Sequence, residues 1–476
     1  MIRYILGWVL NLQGGFMLLS GLVALIYKER DGLWFLVLAI ALALVGTLCV
    51  LIKPKSKAIR AREGFVSVSA AWILLSLTGA LPYLLTGKIT DFADCLFETV
   101  SGYTTTGATI VTDIESFSHV LNFWHCFTIW IGGMGVLVFM LAVLPMAGGQ
   151  SIHIMRAESA GPSVSKLLPK MKDSAKILYI IYIAMTLSEI IALIISGLSP
   201  FDSLCVSLSN AGTGGFGVLA SGTSAYTAAQ QIILTVFMIL FSVNFNVYFL
   251  LIMGRPKEAL LKNEELRAFL GLIAVSSVAI AFNIRNLYGS FGEAFHHGIF
   301  QVASIMSTTG FSSADFNQWP ELSKAILVML MFVGACAGST CGGIKISRYI
   351  ILIKNAFRDL VAYVHPKNVR VIKVDGRKID NAAVKSVQNY MFTYLIVFAL
   401  SFLVIMLEGT LDLTTGFTAV ATTLNNVGPG LGTIGPAGTF ADLSVLQKLM
   451  LTFDMLIGRL ELFPVLIMTL PSTWKK

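Results

Sequence analysis

A run of threonine and glycine between two long apolar segments constrains this chain more than any other feature. Residues Ser101–Thr109 read SGYTTTGAT. Backbone that is not helical cannot face lipid, because its N–H and C=O groups would find no partner there. It is tolerated at membrane depth only where it is buried in protein or lines a water-filled path. Three similar stretches follow, at Asn210–Phe216, Met306–Phe311 and Asn425–Pro429. Four such loops predict four carbonyl-lined corners around one axis, which is how a cation filter is built.

The composition places these loops in a membrane. The chain has 476 residues, of which 56% are hydrophobic and 13% charged, whereas ordinary globular chains carry roughly 25% charged residues. Apolar runs of about 20 residues recur from end to end, which is typical of a polytopic α-helical membrane protein and argues against a large soluble core. The net charge of +8 requires no nucleic acid as a partner. The six cysteines have no metal-binding spacing and are interpreted as buried thiols.

The chain divides into two N-terminal spans and four copies of one unit. Residues 1–60 hold the two extra spans, and each later unit consists of a span, a short pore helix, a threonine/glycine loop and a second span. The predicted units are residues 65–147, 173–253, 265–363 and 383–473. The expected fold is therefore an all-α polytopic membrane protein with four parallel repeats around a pseudo-fourfold pore.

The positive charges predict the orientation. Most of the 34 Lys and Arg fall in segments that this topology places on one side, which indicates that the N- and C-termini are cytoplasmic. The four loops then open to the outside. Acidic residues such as Asp94, Glu98, Asp202 and Glu293 are expected around that outer mouth, where negative charge raises the local cation concentration.

The four loops resemble the filters of the TrkH/KtrB/HKT family of bacterial, fungal and plant cation transporters. The resemblance covers essentially the whole chain, and the two extra N-terminal spans and the sequence Asn426–Gly432 (NVGPGLG) are more similar to the TrkH branch. It implies one filter glycine per loop, and four glycines accompany a preference for K⁺ over Na⁺. The implied K⁺ site consists of three residues from each loop: Thr105, Thr106, Gly107; Thr213, Gly214, Gly215; Thr308, Thr309, Gly310; and Asn426, Val427, Gly428. The second loop holds Gly212, Gly214 and Gly215, so its register is open by one residue.

Two features below the loops are interpreted as a gate. Residues Gly334–Gly343 contain four glycines, Gly334, Gly338, Gly342 and Gly343, which destabilise a helix interior by about 1 kcal/mol each. They predict an intramembrane loop, and the matching segment gates the pore in the resembling family; close helix packing through small residues is the alternative. Arg459 lies in an otherwise apolar span, where an arginine usually faces a wet interior. The resemblance places it in the pore against the gating loop, and neutralisation by Asp454 or Glu461 is the alternative.

No catalytic or cofactor motif accompanies these features. Gly430–Gly435 matches GxGxxG without a βαβ context, and the His296–His297 pair is interpreted as an outer-face pair. The chain is therefore expected not to be an enzyme, and a membrane-embedded enzyme built on the Cys/Gly loop is disfavoured.

The predicted function is K⁺ uptake across the bacterial inner membrane, with K⁺ as the transported ion and no organic cofactor. A Na⁺ or mixed Na⁺/K⁺ conductor of the same fold and an ion-coupled secondary transporter remain as alternatives. The resemblance further implies a homodimer and a cytosolic nucleotide-binding regulator with RCK domains, of the TrkA type.

Overall fold

The structure is a computed structural model that describes residues 1–54, 61–135, 171–366 and 371–474. The end of the first predicted repeat (136–147), much of the basic segments at 53–62 and 156–176, and the C-terminal lysines lie outside the described residues. Within the described ranges, helix dominates and the only strands form a two-residue antiparallel hairpin that pairs Lys373 with Lys378 and Val374 with Arg377. The all-α class predicted from the sequence is confirmed.

The elements are numbered in chain order. They are α1 (Ile2–Tyr27), α2 (Gly32–Leu51), α3 (Ala61–Leu85), α4 (Phe92–Tyr103), α5 (His119–Met134), α6 (Met171–Ile195), α7 (Pro200–Gly212), α8 (Ala228–Ser242), α9 (Phe245–Ile252), α10 (Glu264–Ile284), α11 (Phe291–Met306), α12 (Glu321–Met331), α13 (Ile346–Val364), β1 (Lys373–Val374), β2 (Arg377–Lys378), α14 (Asn381–Met406), α15 (Leu413–Leu424), α16 (Val445–Arg459) and α17 (Phe463–Thr469). Short 3₁₀ turns lie at Ile114–Ser116, Gly222–Ala225, Arg285–Leu287, Phe316–Gln318, Gly432–Ile434 and Pro471–Thr473, and a π turn at Lys257–Leu261.

Six helices in the described part of the chain are long and apolar enough to cross a membrane: α1, α2, α3, α6, α10 and α14. The pair α8 and α9 passes the same test together but is bent by 88°. The second helices of the predicted repeats are thus shorter or broken, as at α12, which ends at Met331, and α16, which ends at Arg459. A break at membrane depth leaves helix-terminal backbone groups that need partners within the protein.

The first two helices form an antiparallel pair held by small residues. A Cβ on Gly7 would lie 2.7 Å from the Cβ of Cys49, and one on Gly14 would lie 2.9 Å from the carbonyl oxygen of Ala39. Close packing of this kind drives helix association where lipid removes the hydrophobic contrast. The opposite faces, with Leu25 and Leu48 well exposed, are apolar and suited to lipid.

Four short helices, α4, α7, α11 and α15, begin with the same kind of cap. The side chains of Asp91, Ser199, Ser290 and Asp412 accept hydrogen bonds from backbone N–H groups in the first turn of each helix. These caps satisfy the free donors of the first turn. At 12 to 16 residues the helices are about 18–24 Å long, so each is too short to cross the bilayer and ends inside it.

Candidate functional site

Each of the four short helices ends in a Schellman motif that leads directly into one predicted filter loop. In the first loop, Thr106 N donates to Ser101 O (2.8 Å) and Thr105 N donates to Gly102 O (3.0 Å). The other three loops repeat this pair of bonds between a backbone N and a backbone O. The donors and acceptors are Gly214 to Ser209 and Thr213 to Asn210 in the second loop, Thr309 to Ser304 and Thr308 to Ile305 in the third, and Val427 to Thr422 and Asn426 to Thr423 in the fourth. The motif satisfies the last carbonyls of a helix and turns the chain away from the helix axis.

The turning residue of each motif is not glycine. Thr105, Thr213, Thr308 and Asn426 have φ values of 56°, 57°, 55° and 54°. This left-handed conformation is rare for a β-branched residue, and it costs on the order of 1–3 kcal/mol unless surrounding contacts enforce it. The recurrence of one strained conformation in four loops fixes the register of the second loop, because Thr213 and Gly215 take the positions of Thr105 and Gly107.

The glycine two residues later closes the four loops into a ring. Gly107, Gly215, Gly310 and Gly428 all have positive φ, from 75° to 106°. A Cβ on Gly107 would lie 1.7 Å from Gly214 O, one on Gly215 2.0 Å from Thr309 O, one on Gly310 2.4 Å from Val427 O and one on Gly428 2.8 Å from Thr106 O. Each glycine therefore abuts the carbonyl that precedes the glycine of the next loop, in chain order and back to the start.

The ring combines conditions that favour a cation. The loop residues Thr105, Thr106, Thr309 and Val427 are fully buried. Four helix C-termini, where the helix dipole is negative, converge on the backbone of the loops. Backbone carbonyls in such an arrangement replace the water that a dehydrated alkali cation loses.

A non-helical segment, residues 332–345, packs beneath the ring between α12 and α13. It occupies the break between α8 and α9: Cys336 N donates to Ser242 O (3.2 Å) and Phe245 N donates to Gly338 O (3.1 Å). One carboxylate oxygen of Glu265 accepts from Ala337 N and from Ser347 N, both at 2.9 Å. The helix break and the loop thus satisfy each other's backbone groups.

The same segment contacts the ring directly. Gly342 N donates to the Thr308 hydroxyl at 2.8 Å. A Cβ on Gly342 would lie 2.8 Å from Asn425 O, so the loop lies flush against the fourth filter loop. Asn426 in turn donates to Thr106 Oγ1 and to Met455 O, both at 2.9 Å, and so ties two filter loops to α16.

Arg459 bridges this segment to the first repeat. Its Nη1 donates to Thr340 O at 2.9 Å, and its Nη2 donates to Gly132 O at 2.5 Å and to Gly133 O at 3.2 Å. Of the two carboxylates that the sequence offers as neutralising partners, Asp454 accepts from the Ser401 hydroxyl (2.6 Å) and Glu461 pairs with Arg348.

A second basic side chain, Lys345, lies at the end of the segment beneath the ring. Lys345 is 2% exposed, and its ammonium donates to Cys341 O and, at 3.0 Å, to Gly342 O. Arg348 stacks over the Tyr390 ring at 3.8 Å and pairs with Glu461. The region below the ring therefore carries Lys345, Arg348 and Arg459, with the carboxylates of Glu461 and Glu265 beside them.

The chain matches a family model described as a cation transport protein, TrkH, over residues 34–476. The chain belongs to the TrkH family. It is 33% identical over 483 residues to the Trk system potassium uptake protein TrkH of Salmonella typhimurium, with 100% of this chain and 99% of that protein covered. It is 34% identical to the protein of the same name from Vibrio parahaemolyticus, covering 99% and 98%.

The crystal structure of the potassium transporter TrkH from Vibrio parahaemolyticus superposes with a TM-score of 0.89 at 31% identity, and the match covers all of both chains. The TrkH-family architecture of four span–pore helix–loop–span repeats around a pseudo-fourfold pore, with two spans before them, is thereby confirmed. The repeat boundaries and the roles of individual site residues stay predictions.

The structure brings together the residues predicted for the filter and the gate of this TrkH-family chain. Glu98, which the sequence places among the acidic residues around the outer mouth, is fully buried. His296 and His297 bond to Gln231 and Ser313, and no metal-binding group of His, Cys, Asp or Glu occurs in the described residues.

Sequence reasoning did not assign roles to Glu265 and Lys345, and it did not predict the buried contacts of Glu98. A charged residue inside or beside an apolar segment was the available indication. The hydrogen-bond partners of the two glutamates lie 11 to 82 positions away, so the sequence alone could not predict these contacts.

Proposed function

We propose that this chain is a K⁺ uptake protein of the bacterial cytoplasmic membrane, in which one chain forms one pore. The ring of four filter loops carries the proposal, because each glycine abuts the carbonyl that precedes the next glycine. The potassium uptake and potassium transporter names of its relatives support K⁺ as the transported ion. No catalytic reaction is assigned.

In this mechanism, K⁺ enters from outside, loses water at the ring and exchanges it for backbone carbonyl oxygens. The proposed ligands are the carbonyls of the residues at and before the filter glycines, such as Thr105, Thr106 and Gly107. The C-terminal ends of the four pore helices stabilise the dehydrated ion. The ion then meets the loop beneath the ring and the charge of Arg459.

The loop 334–343 is proposed as the gate, with Gly334, Gly338, Gly342, Gly343 and Arg459 as its residues. In the observed position it lies against the ring and is held by Thr308, Glu265 and Arg459. Shortening it within residues 335–342 is expected to raise K⁺ flux per folded molecule. An unchanged flux in a folded, shortened variant would contradict the gating role.

The direct test is ion flux into proteoliposomes with K⁺, Rb⁺, Na⁺ and Li⁺ compared. K⁺ and Rb⁺ are expected to enter faster than Na⁺ and Li⁺, and their flux is expected not to depend on a coupled ion. Equal Na⁺ and K⁺ flux would favour a mixed conductor, and flux that requires a second ion gradient would favour a secondary transporter.

Two assembly features complete the proposal. The chain is proposed to act as a homodimer with a cytosolic RCK-domain regulator. The cytoplasmic-side helix α13 and hairpin β1–β2 offer basic residues such as Lys354, Arg358 and Arg377, and exposed apolar residues such as Phe357 and Leu360. The orientation with cytoplasmic termini rests on the distribution of Lys and Arg.

A further inference from the structure

A fully buried carboxylate lies behind the first filter loop. Glu98 of α4 accepts hydrogen bonds from Thr109 Oγ1 (2.8 Å) and from Ile110 N (2.9 Å), two and three residues beyond the filter glycine Gly107. Its Oε1 also lies 2.6 Å from His125 Nε2. All three partners can donate, so a carboxylate acceptor fits this pocket.

His125 extends the contact to the second filter loop. Its ring stacks on Phe216 with centroids 3.6 Å apart and planes 14° from parallel. Phe216 follows the filter glycine Gly215 directly. The residues that follow the filter glycines of two neighbouring loops, which we call the exits of these loops, therefore contact one carboxylate–imidazole pair. Both members of the pair are almost wholly buried.

The other quadrants lack this charge. The residue nine positions before the filter glycine is Glu98 in the first repeat and Val206, Gln301 and Ala419 in the others. Gln301 is also buried, and it donates weakly to Phe311 O at 3.5 Å. A carboxylate therefore supports the exit of one loop, a neutral amide supports the exit of another, and apolar side chains occupy the position in the remaining two.

We propose that Glu98, oriented by His125, is a positioning residue that determines ion preference by fixing the exit of the first filter loop. The inference rests on the proposed function, since it takes the ring as the ion-selective passage. Hydrogen bonds to an ionised acceptor are roughly twice as strong as neutral ones. Weakening them lets Thr109 and Ile110 move, and with them the carbonyls on either side of Gly107.

The test is Glu98→Gln, which preserves shape and removes the charge, with Glu189→Gln as a matched control. Glu189 is equally buried and bonds the pore helix α7 through Asn210 at 2.5 Å. In the described residues it bonds none of the backbone N–H groups beyond a filter glycine. Glu98→Gln is expected to lower the K⁺/Na⁺ permeability ratio by about fivefold, the size of one weakened charge-assisted bond, whereas Glu189→Gln is expected to leave the ratio unchanged.

An unchanged ratio in Glu98→Gln overturns the inference, and so does an equal shift in both variants. If Glu98→Gln does not fold, Thr109→Val keeps the carboxylate and removes one donor. It is expected to lower the ratio in the same direction by about twofold, and a folded Thr109→Val protein with the wild-type ratio overturns the inference as well.

The K⁺/Na⁺ permeability ratio of the wild type is measured first, because it tests the proposed function separately from this inference. A wild type without K⁺ preference refutes the proposed function. The inference still requires Glu98→Gln to shift whatever ratio the wild type has, while Glu189→Gln does not.

Discussion

Three threonines hold a backbone conformation that usually belongs to glycine, and their hydroxyls differ in what they contact. The hydroxyl of Thr308 accepts from Gly342 N in the loop beneath the ring. The hydroxyl of Thr213 donates to Gly212 O at 2.7 Å. Such strain persists where neighbours over-determine the geometry, and it is concentrated at functional sites. At Thr308 the strained residue joins the proposed filter to the proposed gate.

The space available for a side chain differs among the filter glycines, which predicts that substitutions at these glycines differ in their effect on the K⁺/Na⁺ permeability ratio. Gly107→Ser places a Cβ 1.7 Å from Gly214 O, whereas Gly428→Ser places one 2.8 Å from Thr106 O. Both are expected to lower the K⁺/Na⁺ permeability ratio, because a Cβ at positive φ displaces the neighbouring carbonyl. Gly107→Ser is expected to lower it more and to lower the folded yield. Bi-ionic potentials of purified protein measure the ratio, and the reverse order would contradict the ring geometry.

Arg459 is expected to impede cations as well as to hold the loop. At roughly 6 Å and an effective dielectric near 20, its repulsion of a cation is about 3 kcal/mol. That is on the order of a hundredfold in rate if it acts wholly at the barrier. Arg459→Ala should therefore increase K⁺ flux per folded molecule, and Arg459→Lys should do so less because the positive charge remains.

Flux normalised to monodisperse protein measures this effect. Arg459 bonds carbonyls of Thr340, Gly132 and Gly133. A purely structural role predicts that Arg459→Ala lowers the amount of folded protein and leaves the flux of each folded molecule unchanged. That result would remove Arg459 from the ion path.

At the scale of elements, the broken second helices are the feature that makes a gate feasible. The bend between α8 and α9 leaves backbone groups at Ser242 and Phe245, and the loop between α12 and α13 satisfies them. A loop held by a limited set of hydrogen bonds can detach at a cost of a few kcal/mol, whereas an unbroken helix cannot. Local stability of this kind is typical of segments that move.

Glu265 offers a test of that idea with a neighbouring control. One oxygen of Glu265 accepts hydrogen bonds from Ala337 N within the segment and from Ser347 N in the first turn of α13, just after it. Removing bonds to a charged acceptor costs about 1.5–3 kcal/mol each, so Glu265→Ala should raise K⁺ flux about tenfold or more. Glu264→Ala removes the adjacent carboxylate, which pairs with Lys354 instead, and should change flux little.

Equal fluxes from the two variants would show that Glu265 does not hold the loop shut. The K⁺/Na⁺ permeability ratio of Glu265→Ala is a second quantity to measure. Because Gly342 bonds Thr308, release of the loop frees a hydroxyl in the third filter loop.

The predictable part of the site is the part that local backbone rules dictate. Glycine-rich, non-helical backbone inside an apolar sequence must be buried in protein or line a water-filled path. The positions of the four filter loops and of the segment at Gly334–Gly343 could therefore be predicted from the sequence. The contacts that support them could not, because they join distant positions. Glu98 meets His125 across 27 positions and Arg459 meets Thr340 across 119, and no periodicity encodes such pairs.

For the whole molecule, the proposed orientation can be tested at the two ends of one span. Arg377 and Glu408 are both exposed and flank α14, a helix of 26 residues that is about 39 Å long. With cytoplasmic termini, Glu408→Cys in intact cells should react with a membrane-impermeant maleimide. Arg377→Cys should react only after the cells are opened.

The native cysteines are expected to interfere little with maleimide labelling, because five of them are buried and Cys49 alone is partly exposed. The buried cysteines are Cys95, Cys126, Cys205, Cys336 and Cys341. Replacing Cys49 by alanine gives the parent for both variants. Labelling of Arg377→Cys in intact cells, with Glu408→Cys protected, would invert the orientation and place the four loops on the cytoplasmic side.

The closure of the ring within one polypeptide has a consequence for how such a pore changes over generations. A pore assembled from four copies of one subunit receives every mutation four times, so a harmful substitution at its axis is harmful at every corner. Here a single substitution changes one loop of the proposed filter and leaves the other three loops unchanged. The position nine residues before the filter glycine already differs in all four quadrants, as Glu98, Val206, Gln301 and Ala419. Selection on this chain can therefore act on one loop of the proposed filter at a time.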